Sequence, residues 1–355
     1  MAGWRSALEA FLLREWAGGS AAQVLLRPLS WLYGLVLWLR AGALAPRSGR
    51  LRTAAVGLRA PLVVVGNLTV GGSGKTPCVI ALATALAARG WRPGIVSRGY
   101  GGAGALGPVT PQSRADQVGD EPLLIARRTG LPVWVGGDRL AAARGLLATQ
   151  AEVDVLLSDD GLQHLGLPRD VEVAVVDARR GLGNRALLPA GPLREPLARL
   201  ARVDQVWLCG DGPLPTALPL TGPPVRVTLT LAAARALADP AQARPLASFA
   251  GQDVVAVAGI AAPERFFAML EAVGLRVSRE PWPDHHAFSA ADLQHLRGRT
   301  VLMTQKDAVK CETFAAADWW MVPLDAVVPD AAVAAVEHAL RREGRGASPV
   351  RPSQP

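Results

Sequence analysis

Lysine is almost absent from this chain: Lys75, Lys306 and Lys310 stand against thirty-five arginines. Cysteine is equally scarce. Cys78, Cys209 and Cys311 are scattered and odd in number, which excludes a disulfide framework and a cysteine metal centre and fits a reducing compartment. No Asn-Lys-x-Asp run occurs, which disfavours a guanine nucleotide. No helical stretch joins a concentrated basic stripe to interleaved aromatics, so nucleic acid is not an expected partner despite the net charge of +8. That charge still favours an anionic partner, although a GC-rich genome also favours Arg, Ala, Gly and Pro over Lys. Half of the residues are hydrophobic and the mean hydropathy is +0.21, high for a purely soluble protein. A length of 355 residues allows two domains, each with a real core.

What is present is organised around residues 66–77, which contain Thr69, Val70, Gly71, Gly72, Ser73, Gly74, Lys75 and Thr76. An apolar run at 62–65 leads in and a helical pattern at 77–89 leads out. Strand, glycine-rich turn and helix are the setting of a phosphate-binding loop. Backbone N–H groups face the phosphates, Lys75 reaches the terminal ones, and the Thr76 hydroxyl is placed for Mg²⁺. The general pattern begins with glycine, and Thr69 stands there instead. Threonine resists positive φ, so Gly71 and Gly72 are expected to make the tight turn. A lysine kept where arginine is otherwise used marks a need for a point charge on a slim stem. The expectation is a bound nucleoside triphosphate.

Residues 1–45 differ in character. They carry Trp4, Trp16, Trp31, Trp38 and Tyr33, and an uncharged run at 28–39 bounded by Arg27 and Arg40. Twelve residues make roughly 18 Å of helix, short of a ~30 Å hydrocarbon core. Ala43, Leu44 and Ala45 resemble a signal-peptide cleavage site, but the preceding region is too long and Pro46 follows the cut. The expectation is a helix lying in a membrane interface, with Arg47, Arg50, Arg52 and Arg59 attracted to anionic headgroups. The alternative is a helix packed on its own domain.

From 46 to 210, short apolar runs at 93–97, 133–135, 153–157, 173–176 and 205–208 alternate with helical patterns. This predicts a P-loop NTPase-type layered α/β domain with a mostly parallel sheet. The run at 153–157 enters Ser158, Asp159 and Asp160, carboxylates suited to Mg²⁺, with the division between them open. Asp120 reads either as a catalytic carboxylate or as the N-cap of a helix with Pro122 in its first turn. A proline-rich loop at 187–196 holds Arg194 and Glu195, as a connector or as a phosphate or metal contact. Residues 211–342 read as a second, smaller α/β domain, with strands at 225–231, 253–258 and 301–304. There His285 and His286 find no matching Cys/His set for a metal, and Ser289 with Asp292 forms a capping box. Residues 343–355 read as a disordered tail.

Eight motifs occur in order at 69–77, 97–101, 119–122, 136–139, 159–164, 189–195, 284–285 and 304–310. Together they resemble the tetraacyldisaccharide 4′-kinases of lipid A synthesis over roughly residues 10–325; Thr69 is that family's usual form. The resemblance implies transfer of the γ-phosphate of ATP to the 4′-hydroxyl of tetraacyldisaccharide 1-phosphate. The enzyme would be peripheral, at the cytoplasmic face of a Gram-negative inner membrane, with no obligatory protein partner. It implies two domains joined by a hinge, with Asp120 as the base oriented by His285 from the second domain. Lys75 would hold the phosphates, with Thr76, Asp159 and Glu195 at Mg²⁺. Asp160, Gln163, His164 and Arg194 would surround metal and nucleotide. Two other readings compete: a membrane-docked regulatory ATPase driven by a protein partner, which leaves Asp120 and His285 unexplained, and a module that only binds nucleotide.

Overall fold

The computed structural model describes residues 15–16, 21–44, 51–99, 106–213 and 218–343, without the side chains of 21, 22, 43 and 44. Trp4, Arg47, Arg50, Tyr100 and the expected tail from 344 onward lie outside the described residues.

Eight strands come first: β1 (Leu62–Gly66), β2 (Pro93–Ser97), β3 (Gly107–Val109), β4 (Val133–Val135), β5 (Val155–Asp159), β6 (Val171–Asp177), β7 (Gln205–Cys209) and β8 (Val225–Leu231). The chain then builds β9 (Ala234–Ala236), β10 (Ala243–Arg244), β11 (Asp253–Ala258), β12 (Arg276–Pro281), β13 (Val301–Thr304) and β14 (Trp319–Val322), and ends with β15 (Leu324–Val327). The helices are α1 (Ala21–Leu44), α2 (Lys75–Ala88), α3 (Ala115–Val118), α4 (Asp120–Thr129), α5 (Arg139–Thr149), α6 (Pro263–Ala272), α7 (Gln305–Cys311) and α8 (Asp330–Glu343).

Two mixed sheets result, one in the order β15-β8-β7-β6-β1-β5-β2-β4-β3 and one in the order β10-β9-β14-β13-β11-β12. Only β3 and β15 run antiparallel in the larger sheet. Its central strands are buried along their whole length and covered on both faces, which is why they read as unbroken apolar runs. On one face α2, α4 and α8 share a core around Leu82, Ile125 and Val336; on the other, α5 packs through Ala142 and Leu146.

The boundary between the two units differs from the expectation. The strand at 225–231, assigned from sequence to the second unit, hydrogen-bonds in parallel to β7 of the first, and β15 pairs beside it. The chain thus leaves the large sheet after 231, builds the small one, and returns at 324.

β1 sits between β5 and β6, so the connections out of β1 and β5 run to opposite sides. In open parallel sheets, that reversal opens a crevice beyond the strands' carboxyl ends. The amino end of β1 is fixed by Asp170. Its carboxylate accepts from Leu62 N at 2.8 Å and from Thr53 Oγ1 at 2.7 Å. Asp170→Ala strands these buried donors and is expected to lower unfolding free energy by about 2–4 kcal/mol in urea titration. A loss under about 1 kcal/mol would show that this contact does not anchor the strand.

Candidate active site

β1 ends at Gly66, and the turn that follows opens α2 at Lys75. Gly71 at φ 93° and Gly74 at φ 82° supply the left-handed conformations, while Thr69 and Gly72 have no positive φ. The tight turn therefore falls on Gly71 and Gly74, not on Gly71 and Gly72, and Thr69 is accommodated without strain. The proline-rich loop lies against this turn: Val70 N donates to Pro192 O at 2.9 Å and Arg194 N donates to Leu68 O at 2.7 Å.

Helix α1 docks on the same loop. Ser30 Oγ donates to Leu187 O at 2.8 Å, Tyr33 Oη donates to Arg194 O at 2.9 Å, and Arg40 Nη2 donates to Gln163 O at 3.4 Å. The opposite face is open, with Trp31 and Trp38 each 71% exposed beside Leu25, Leu32 and Leu35. The helix runs well past the uncharged twelve residues. Its stretch Gln23–Gly42 has the length and composition to cross a membrane, yet one face is bonded to protein along several turns.

Asp159 ends β5 and Asp160 follows it, and the two have opposite surroundings. Asp160, at φ 52°, receives Arg194 Nη1 at 3.1 Å and lies 3.6 Å from Lys75 Nζ. Burial alone would raise its pKa, but Lys75 and Arg194 hold it below the usual carboxylate range. Asp159 is fully buried, and neither carboxylate oxygen has a hydrogen-bond partner among the described residues. Burial, with Glu121 and Asp160 nearby, pushes its pKa up to about 7. Lys75 Nζ also donates to Asn67 Oδ1 at 3.1 Å. Gln163 Nε2 donates to Asn67 O and to Glu195 Oε1, both at 2.9 Å, and Arg199 Nε meets Glu195 Oε2 at 3.2 Å.

Asp120 is the first residue of α4, not its N-cap; Gly119 takes that place. Its Oδ1 accepts from Glu121 N at 3.0 Å and its Oδ2 lies 3.2 Å from His285 Nδ1. Burial would raise the Asp120 pKa, but the His285 contact and Lys306 bring it below its ordinary value. His285 moves the other way: burial opposes its protonation most strongly, but the bond to Asp120 together with the charges of Asp120 and Asp284 raises the pKa.

These parts meet at a cavity of about 920 Å³. Val70 through Thr76, Asp159, Asp160, Gln163, His164, Arg194 and Glu195 line it from the large unit, and Arg265, His285 and Lys306 from the small one. Tyr33, Leu37 and Arg40 line it from α1. Of the expected residues, Thr69 and Asp120 do not border it; His285 is the member of its pair that faces the space. No group of three or more His, Cys, Asp or Glu side chains suited to a metal gathers among the described residues. Sequence reading missed Asn67, Arg265, Lys306 and the α1 face. Lysine scarcity, used for Lys75, was an equal signal for Lys306.

Asp159 binds its proton more tightly folded than unfolded. Its contribution to stability is therefore full below pH ~4 and is lost as pH rises through about 7. Asp159→Asn should be more stable than the parent at pH 8 by about 2–4 kcal/mol, with the gap closing below pH ~4. Equal pH–stability curves for the two proteins would contradict this.

The family model described as tetraacyldisaccharide-1-P 4′-kinase matches residues 22–341. A tetraacyldisaccharide 4′-kinase from Azoarcus sp. (strain BH72) is 50% identical over 337 residues, 94% of this chain and 96% of that protein. Its counterpart from Thiobacillus denitrificans is also 50% identical, over 90% of this chain and 95% of its own length. Among solved structures, LpxK from Aquifex aeolicus, described as in complex with ATP, superposes with a TM-score of 0.70 at 25% identity, over 90% of this chain and 99% of that one. The chain belongs to the tetraacyldisaccharide 4′-kinase family of enzymes.

Proposed function

We propose that this protein transfers the γ-phosphoryl group of ATP to the 4′-hydroxyl of tetraacyldisaccharide 1-phosphate at the cytoplasmic surface of a membrane. One observation carries the reading: a single cavity is bordered by the glycine-rich turn, by His285 of an acid–histidine pair, and by the inner face of α1. The triphosphate rests on the backbone N–H groups of the turn and the start of α2, with Lys75 leaving Asn67 and Asp160 for the phosphates. Gln163, His164 and Arg194 border the nucleotide. Phosphoryl transfer needs mainly positioning and charge neutralisation, and those groups supply both.

Asp120 and His285 act as one unit. His285 meets the acceptor hydroxyl, and Asp120 behind it supplies the negative charge that makes the pair a base. A positioned base contributes typically ~10²–10⁴-fold. The two come from different units of the fold, so approach of those units completes the site.

Asp159 fits a divalent cation, because a fully buried carboxylate with both oxygens unpartnered is stabilised by a positive charge. Asp159 and the Thr76 hydroxyl would hold Mg²⁺, which when bound neutralises charge on the transferring phosphate. Glu195 has each oxygen engaged, by Gln163 and Arg199, and serves instead to fix the loop. At pH 8, Mg²⁺ should raise the melting temperature of the parent protein and not of Asp159→Asn. Equal rises in both would remove Asp159 as ligand.

The exposed apolar face of α1 rests in the headgroup layer. Replacing Trp31 and Trp38 together by Asp is expected to abolish sedimentation with vesicles containing anionic phospholipid; undiminished sedimentation would refute that placement.

The decisive assay follows label from γ-labelled ATP into tetraacyldisaccharide 1-phosphate in detergent micelles. Asp120→Ala, His285→Ala and the double variant should each lose about 10²-fold or more in kcat, the double no worse than the singles. Independent, multiplying losses would dissolve the pair. ATP hydrolysis without label in lipid, stimulated by a protein partner, would establish a regulatory ATPase instead.

A further inference from the structure

Lys306 lies in the first turn of α7, and its side chain is 17% exposed. Its Nζ lies 3.2 Å from Glu121 Oε1, 3.4 Å from Asp284 Oδ1 and 4.0 Å from Asp120 Oδ2. Burial works against the charge, but these acids outweigh it and keep the ammonium protonated. Its fourth neighbour is His285 Nε2, at 3.2 Å.

An ammonium has donors and no acceptor. At that distance it donates to Nε2, so Nε2 carries the lone pair. The ring proton then sits on Nδ1, which faces Asp120 Oδ2 at 3.2 Å. We propose that Lys306 is a positioning residue for the Asp120–His285 pair: it holds the imidazole in the Nδ1–H form and counterbalances the two carboxylates that flank it. The proposal rests on the reading of that pair as proton acceptor.

The balance of charge explains why a counterweight is needed. His285 is faced by Asp120 from α4 and by Asp284 from its own loop, and both favour the imidazolium. An imidazole permanently protonated between two carboxylates accepts no further proton. Burial and Lys306 oppose protonation. Glu121 and Asp284 hold Lys306 in place, and Lys310, one turn further along α7, acts on Asp120. In the transfer step the hydroxyl O–H bond breaks as the new O–P bond forms. As the hydroxyl replaces the ammonium at Nε2, Lys306 stays with Glu121 and Asp284. The proton passes to Nε2, the bond from the γ-phosphorus to its bridging oxygen breaks, and that electron pair leaves with ADP.

The test is an NMR titration of the His285 Cε1–H resonance in the full chain, identified by its loss in His285→Gln. The parent, Lys306→Met and Lys306→Arg are compared. The midpoint should rise by about one pH unit or more in Lys306→Met and stay at the parent value in Lys306→Arg. The acid limb of kcat should move with it. If Lys306→Met does not fold, Lys306→Gln makes the same comparison. An unchanged midpoint in the uncharged variant overturns the proposal and leaves Lys306 a clamp between the two units. A midpoint that moves while the kcat limb stays fixed overturns the role of the pair as proton acceptor, and with it this use of Lys306. The two readings therefore fail in distinguishable ways.

Discussion

Two backbone hydrogen bonds between loops hold the site together: Val70 N to Pro192 O, and Arg194 N to Leu68 O. They lay the proline-rich segment on the glycine-rich turn. Pro189, Pro192 and Pro196 restrict that segment before folding, so less conformational entropy is lost when it docks. From the docked loop Arg194 reaches Asp160. Helix α1 takes its anchors from the same segment, at Leu187 and at the Arg194 carbonyl. One loop thus serves both the charged centre and the amphiphilic helix, and displacement of either is felt by the other.

The charged centre is built on asymmetry. Asp159 and Asp160 are neighbours in sequence with opposite environments, one fully buried without a partner and one paired to Lys75 and Arg194. Their pKa values are driven apart, as happens where adjacent acids take different tasks. The second pair, Asp120 and His285, is split in the same direction, acid down and histidine up. The first pair is assembled by strand β5 and its turn alone. The second requires α4 of the large unit to meet a loop of the small one, so it is the part of the site that depends on their mutual placement.

Much of the fold was legible because central parallel strands are buried on both faces and must be apolar throughout; β1, β2, β5 and β6 announce themselves in this way. Edge strands such as β3, β10 and β12 are short or exposed and carry no such run. The membership of β8 was unreadable for a different reason. Residues 225–231 alternate as any half-buried strand does, and only pairing with β7 decides their sheet. The site divides likewise. The turn, the paired aspartates and the proline-rich loop are contiguous motifs that declare their chemistry locally. Which aspartate is left unpartnered, and which member of the Asp120–His285 pair faces the cavity, are set by tertiary burial. Arg265 and Lys306 act through partners distant in sequence, Asp177 and Glu121 among them, and spacing alone says nothing of them.

Helix α1 is where the two demands on this molecule meet. Tyr33, Leu37 and Arg40 recur at helical spacing and border the cavity, while Trp31, Leu35 and Trp38 point away from the protein. If that outer face meets lipid, the apolar layer and the cavity lie on opposite sides of one helix, whose diameter is roughly 10 Å. On the proposed reading, an acylated sugar can keep its chains in the lipid while its hydroxyl passes the helix toward His285. A wholly apolar wall would leave the sugar without polar contacts, and a wholly polar one would exclude the helix from the bilayer. The mixed inner face, with Arg40 bonded to the Gln163 carbonyl and Tyr33 to that of Arg194, meets the sugar side. On that same reading the tryptophans meet the lipid side, and a single helix satisfies both demands because its two faces would see different solvents.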